Sequence, residues 1–231
     1  MNNILNFFTS IIDGENPIVT WISVGAIALL IALLVIVCIS NRGGQGFDTK
    51  RIVFAGICIA TSFGLSFLKF SPVTYGGSIT IASMVPIMLY SYIFGPISGI
   101  ISGLIYGLLQ FIQSPYLFTG TTFLLDFPLA FASICLVGLF RKLIKNDLGG
   151  LIAGVGFTYI WRFLAHLLSG FIYFANGGIW ANLPADNMFI YSFLYQITYI
   201  GPDFIISLVV IIALYFSKTI TRLEKIADKK A

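Results

Sequence analysis

MFIYSFLYQITYIGPDFIISLVVIIALYFS, residues 188–217, carries one formal charge, Asp203, in an otherwise uncharged run. A helix needs about 20 apolar residues to cross the hydrocarbon core of a bilayer. The stretch therefore reads as a membrane-spanning helix, long enough to tilt, break or extend past the hydrocarbon. Further apolar spans precede it at about 17–40, 52–70, 79–94, 97–113, 120–140 and 149–175. Only 10% of the 231 residues are charged and 58% are hydrophobic, whereas soluble domains carry about 25% charge. A soluble protein this apolar would expose large aggregating patches, and a barrel would alternate in ten-residue segments instead of running continuously apolar. The expectation is an all-α polytopic membrane protein, with a six-helix body and one extra N-terminal transmembrane helix.

The cations set the organisation. Eleven of the 13 Lys and Arg residues fall in three segments: Arg42, Lys50 and Arg51; Arg141, Lys142 and Lys145; and Lys218, Arg222, Lys225, Lys229 and Lys230. With seven helices all three land on one side, while the opposite loops carry Asp13, Glu15 and Asp186. This is the positive-inside pattern. It predicts a cell-membrane protein with its N-terminus outside and its C-terminus in the cytoplasm. It also divides the chain into an N-terminal extension with a basic glycine-rich linker (1–50), a membrane body (51–217) and a basic cytoplasmic tail (218–231). The first span has no basic segment before it and is too long for a signal peptide. It is read as a retained helix.

Other function classes lack their signatures. The chain has no P-loop, HExxH, GxSxG or nucleic-acid module, and a single histidine builds no multi-histidine metal site. Cys38, Cys58 and Cys135 lie in apolar segments without CxxC spacing and read as small packing residues. The net charge of +4 follows from topology and calls for no nucleic acid.

Charges inside spans cost about 2.5–3.5 kcal/mol on insertion scales and point to function by default. Four stand there: Asp126 in LLDFPLAF (124–131), Arg162 and His166 in YIWRFLAHLLSG (159–170), and Asp203. Arg162 and His166, four apart, share a helix face with Tyr159. Asp126 paired with either cation serves packing alone in one reading and a ligand pocket in the other. Arg162 either reaches the cytoplasmic side or neutralises an acid. Asp203 reads as a partner at a helix break or as an interfacial residue at least as readily as a ligand contact. The outer ends supply Gln110, Gln113, Tyr116, Tyr173, Trp180, Tyr191, Tyr195, Gln196 and Tyr199. Trp180 and Tyr116 suit a headgroup belt, whereas Tyr191, Tyr195 and Tyr199 run two turns deep on one face, as a pocket wall does. A buried carboxylate, a histidine and aromatic faces suit a small, flat, cationic organic ligand. Gly56, Ala60 and Gly64 form one small-residue face and Gly95, Gly99, Gly103 and Gly107 another. Both permit close helix contact, and intramolecular packing explains either.

Four segments in order, YGGSITIASMVPIMLYSYIFGPISGIISGLIYGLLQ, LLDFPLAF, RFLAHLLSGFIYF and IYSFLYQITYIGP, resemble the thiamine-specific S component of the energy-coupling factor (ECF) vitamin transporters. The resemblance covers about residues 51–217. It implies a six-helix membrane protein that captures thiamine near its outer face and is not itself an enzyme. The S component delivers the vitamin with a transmembrane T component and two cytoplasmic ATPase subunits, so ATP is used by the partners and this chain needs no cofactor. Position by position, the family's pocket acid falls on Asp126 and the following aromatic on Phe127, where tyrosine is usual. The pocket histidine falls on His166, with Gly170 completing its motif, and the aromatic eight residues later falls on Phe174. The pocket tyrosine falls on Tyr191, with Tyr195 one turn on, and its amide partner on Gln196, where the family has asparagine. The T-component contact falls on Gly56 and Ala60. Gly77 and Ile81 stand where some members carry a tryptophan and a glutamate. An S component for a thiamine precursor or another vitamin, and a stand-alone proton-coupled transporter using Asp126 or His166, remain the alternatives.

The first helix lies outside the resemblance and should be dispensable to the pocket. A chain starting near Asp48 is expected to insert and bind ligand with little loss. An N-terminal epitope should be reached from outside intact cells and a C-terminal one should not. Loss of binding in a well-folded truncation, or a cytoplasmic N-terminal tag, would overturn this reading.

Overall fold

Asp48 opens the body. Its carboxylate accepts from the backbone N–H of Arg51 at 2.9 Å, which satisfies one orphan donor of a first helical turn. From there α1 runs over Thr49–Ser66. The computed structural model describes residues 48–70, 77–115, 120–175 and 187–228, together with Trp21, Gly25, Ala28, Leu29 and Ala32. Of the expected first helix, only those five positions lie within the described residues; the linker over 41–47 and the end of the tail lie outside them.

The first two body spans differ from the expected 52–70 and 79–94. Helix α1 stops at Ser66, and two short strands follow: β1 (Lys69–Phe70) and β2 (Ile79–Thr80), paired antiparallel with Lys69 opposite Thr80. Helix α2 begins only at Val85 and ends at Phe94. Side-chain chemistry explains the delay. Thr80 and Ser83 hydrogen-bond each other at 2.7 Å, Ala82 takes a positive φ of 54°, and Pro86 supplies a helix start in the first turn. Such irregular backbone is tolerated in a membrane only where protein covers it, and Thr80, Ala82, Ser83 and Met84 are all buried.

At ten residues, α2 is about 15 Å long and too short to cross. It is the centre of the bundle, with Ile87 and Met88 wholly inaccessible. Helix α3 (Pro96–Gln113) packs on α2 and on α4 (Gly120–Leu143). Helix α4 is interrupted by a π-helical turn at Leu125–Leu129. Pro128 accounts for the turn, since it has no N–H to return to the Leu124 carbonyl. The glycines of α3 serve this contact. A Cβ on Gly103 would collide with the Phe131 carbonyl, and one on Gly107 would sit 2.9 Å from the Phe127 oxygen. That stripe is therefore intramolecular packing. The α1 stripe is not: Gly56, Ala60 and Gly64 are exposed, while Ser62 and Ser66 face inward.

Helices α5 (Asp147–Ala175) and α6 (Met188–Phe216) are each about 43 Å long, and neither is broken by its length. Among the described residues, α3, α4, α5 and α6 are long and apolar enough to cross a membrane. Helix α7 (Thr219–Asp228) turns off α6 through Lys218, at φ 58°. Arg141 at the end of α4 pairs with its Glu224 at 2.5 Å and donates to the Tyr92 carbonyl at 2.7 Å. Burial holds the Glu224 carboxyl above its usual range against the opposing pull of Arg141.

One polar network ties the apolar bundle together. Asp203, 2% exposed, accepts from Arg162 Nη1 at 2.9 Å and Tyr159 Oη at 3.0 Å on one oxygen. Its other oxygen accepts from the Thr80 N–H at 3.2 Å and Thr80 Oγ1 at 2.7 Å. Arg162 thus neutralises an acid on α6 and does not reach the basic end. Asp203 stands inside a continuous helix one residue after Pro202 and marks no break there.

Removing one partner of a buried charge pair costs about 3–5 kcal/mol, because the other charge is left behind. Asp203→Ala is therefore expected to lower the unfolding temperature of the ligand-free protein sharply, and Asp203→Ala with Arg162→Met to recover part of the loss. Thermal unfolding in detergent checks this, and a single variant as stable as the parent would remove the network from its central place.

Candidate functional site

Helix α5 carries Tyr159, Arg162, His166, Ser169 and Tyr173 at steps of three and four, which keeps all five on one face. The face looks towards the π-helical turn of α4, and the two meet at Asp126. Asp126 Oδ1 lies 2.8 Å from His166 Nδ1, and Oδ2 accepts from Ser169 Oγ at 2.7 Å. An ionised carboxylate only accepts, so Nδ1 carries the proton. In the neutral ring Nε2 is then an acceptor, and it is buried without a hydrogen-bond partner among the described residues.

Beside this triad lies a cavity of about 480 Å³. Its walls come from the last turns of α1, α3 and α5 and the first turns of α4 and α6, so it sits at the end of the bundle remote from Arg51, Arg141 and α7. Phe127, Phe131, Tyr195 and Tyr199 supply ring surface. Among the lining residues Asp126 is the only carboxylate, and the cations are Lys69 and Arg162. The charge of Arg162 is matched by Asp203 at 2.9 Å. The site thus offers one oriented carboxylate, flanked by aromatic faces, which suits an organic cation. Among the described residues no group of three or more potential metal ligands gathers anywhere.

Five residues expected in the site line this cavity: Asp126, Phe127, His166, Tyr195 and Gln196. Gln196 comes with its amide engaged. Its Nε2 donates to the His166 carbonyl at 3.0 Å, and its Oε1 accepts a very short bond from Tyr199 Oη. It braces α5 against α6 where the histidine stands. Tyr195 Oη accepts from the Gly77 N–H at 2.6 Å, and the Gly77 backbone lies so close to the Tyr199 ring that a Cβ would overlap it. Tyr191 is half-buried against the core and is not among the lining residues. Steps of four drift by about 40° each on a helix, so the stripe has turned by about 80° between Tyr199 and Tyr191. Phe174 belongs to the last turn of α5, but its side chain lies outside the described residues, as do Tyr116 and Trp180. Ser169 was missed. Its signal was the spacing of three from His166, which puts a hydroxyl on the same face one turn on.

A model of the thiamine transporter protein family (Thia_YuaJ) matches residues 52–223. The thiamine transporter ThiT of Bacillus subtilis (strain 168) is 31% identical over 190 residues, covering 75% of this chain and 94% of that protein. A solved structure of ThiT from Listeria monocytogenes superposes with a TM-score of 0.58 at 20% identity, covering 75% of this chain and 96% of that one. At that identity the likeness shows a shared fold. Both the family and the curated relative are named as transporters, a function that makes and breaks no covalent bond in its cargo, and the chain is not an enzyme. With its helical membrane fold, the chain belongs to the thiamine transporter protein family.

Proposed function

We propose that this chain is the thiamine-binding S component of an ECF transporter, with Asp126 as the counter-charge of the thiazolium cation. The observation that carries the reading is the clamped carboxylate. Both Asp126 oxygens are held, by His166 and Ser169, beside a ring-walled cavity that contains no second acid among its lining residues. A carboxylate already oriented loses little freedom when a cation arrives. Aromatic faces add about 2 kcal/mol or more to a desolvated cation. Phe127, Tyr195 and Tyr199 stack on the ligand, and His166 meets it through Nε2. Positive-inside topology turns the cavity end outward and α7 to the cytoplasm, so the membrane body at 51–217 captures its vitamin from outside.

Uptake against a gradient needs energy that this chain has no motif to supply. In this reading a T component and two ATPases provide it. The T component docks on α1, where Gly56 and Ala60 lie exposed and a Cβ added at Gly56 meets nothing within 4 Å. That face takes no part in packing the body, so it is open to close approach by another helix.

Truncating one partner of a buried charge pair costs about 2–5 kcal/mol. Asp126→Asn is expected to weaken thiamine binding at least about tenfold in titrations of purified protein that remains monodisperse; unchanged affinity would place the cation elsewhere. Ala60→Trp should leave binding by the isolated protein intact while co-purification with the T component and uptake are lost. Normal uptake in that variant would clear α1 of the docking role.

A further inference from the structure

The α3 wall of the cavity holds unmet donors, as the Asp126 wall holds an unmet acceptor in His166 Nε2. Gln110 and Gln113 stand one turn apart at the end of α3, and both line the cavity. The side-chain nitrogen of each is buried without a hydrogen-bond partner among the described residues. Gln113 is engaged at one end, its Oε1 lying 3.0 Å from Ser66 Oγ, and Ser66 is also held by the Phe63 carbonyl at 2.6 Å. Whichever way that amide is turned, Ser66 meets only one of its ends. Gln110 has no such brace for its nitrogen. Buried donors are almost always met in folded proteins, and an unmet one is a standing cost to the fold. An apolar side chain of the same length would remove that cost. Nearby, Phe111 packs against Phe127 with ring centroids 5.2 Å apart, and neither ring has a polar atom. On this wall the buried donors left unmet are those of the two amides.

We propose that Gln110, with Gln113 beside it, is a specificity-determining residue that donates its amide N–H to an acceptor atom of the bound ligand. This rests on the thiamine reading above and deepens it. The Asp126 wall recognises positive charge, which many organic cations share. The α3 wall recognises a lone pair at a fixed place relative to that charge. A site built to hydrogen-bond a ligand atom rejects analogues that lack it, because its own buried group is then left unpaired. Thiamine offers two kinds of acceptor, the nitrogens of its pyrimidine and the oxygen of its hydroxyethyl tail. The shared chemistry is a neutral acceptor on a cationic ligand.

The test is Gln110→Met in the full chain, which keeps the length and removes the donor. Purified protein is titrated with thiamine and with the analogue bearing ethyl in place of hydroxyethyl, and the ligand-free protein is melted. Expected is a loss of about tenfold in thiamine affinity, the worth of one hydrogen bond, with the ligand-free melting temperature unchanged or raised. If the tail oxygen is the acceptor, the ethyl analogue binds parent and variant equally. If a ring nitrogen is, the analogue loses the same tenfold. Thiamine affinity equal to the parent's would overturn the proposal, and so would a melting temperature that falls with the affinity, the mark of a packing role. A parent protein that binds no thiamine would refute the thiamine reading and this inference with it, whereas normal binding by both proteins would refute this inference alone.

Discussion

Asp203 collects four hydrogen bonds in the middle of an apolar bundle, from Arg162, Tyr159 and both donors of Thr80. Each contact fixes a different part of the molecule. Arg162 and Tyr159 hold α5 against α6, and Thr80 holds the irregular segment before α2. Ser83 and Tyr106 extend the network to α3 through bonds of 2.7 and 3.1 Å. In lipid there is no water to take over any of these bonds, so the network is satisfied as a whole or is costly as a whole. It also fixes the height of Arg162, and with it the height of His166 one turn further along α5. The cavity stands on this floor.

Two ion pairs occupy the same helix face and do different work. In the Arg162–Asp203 pair the acid is 2% exposed and both its oxygens are held by protein, while Arg162 reaches the cavity wall. The His166–Asp126 pair borders a cavity, with Asp126 a fifth exposed at the side chain and His166 Nε2 unmatched. A buried acid held on both oxygens contributes geometry, while an acid at the cavity edge stays partly open. The π-helical turn at Pro128 belongs to the second pair. It carries Asp126 within a stretch where α4 no longer follows α-helical register, and the facing glycines of α3 let the bundle close over it.

The two small-residue stripes make a similar contrast. Chemically they match, yet the α3 stripe is filled by the backbone of α4, whereas among the described residues nothing meets the α1 glycines. Glycine spacing signals that close approach is possible, and only the surrounding chain shows whether the approach is already made. Gly56 and Ala60 lie on the exposed face of α1, whereas the buried Ser66 of the same helix lines the cavity, so the stripe and the cavity can be altered separately.

The sequence by itself determined the membrane class, the apolar runs that become α3, α4, α5 and α6 and the identity of the four charges inside apolar spans. Runs of apolar residues and isolated charges are properties of composition along a line, and the bilayer converts them into structure almost directly. Asp126, His166 and Gln196, which all line the cavity, were singled out through spacing and resemblance. Four facts were not. The late start of α2 depends on Thr80 bonding Asp203, more than a hundred residues away in sequence. The choice of partners, Arg162 with Asp203 and His166 with Asp126, depends on how α4, α5 and α6 are rotated against one another. The absence of Tyr191 from the cavity lining comes from helical drift across a stripe that reads as straight in one dimension. The engaged amide of Gln196 and the unmet amide of Gln110 look alike in sequence, because a side chain's hydrogen-bond partners are fixed only when distant helices pack. Local patterns decide which segments enter the membrane, and long-range contacts decide which polar atoms are left free for a ligand.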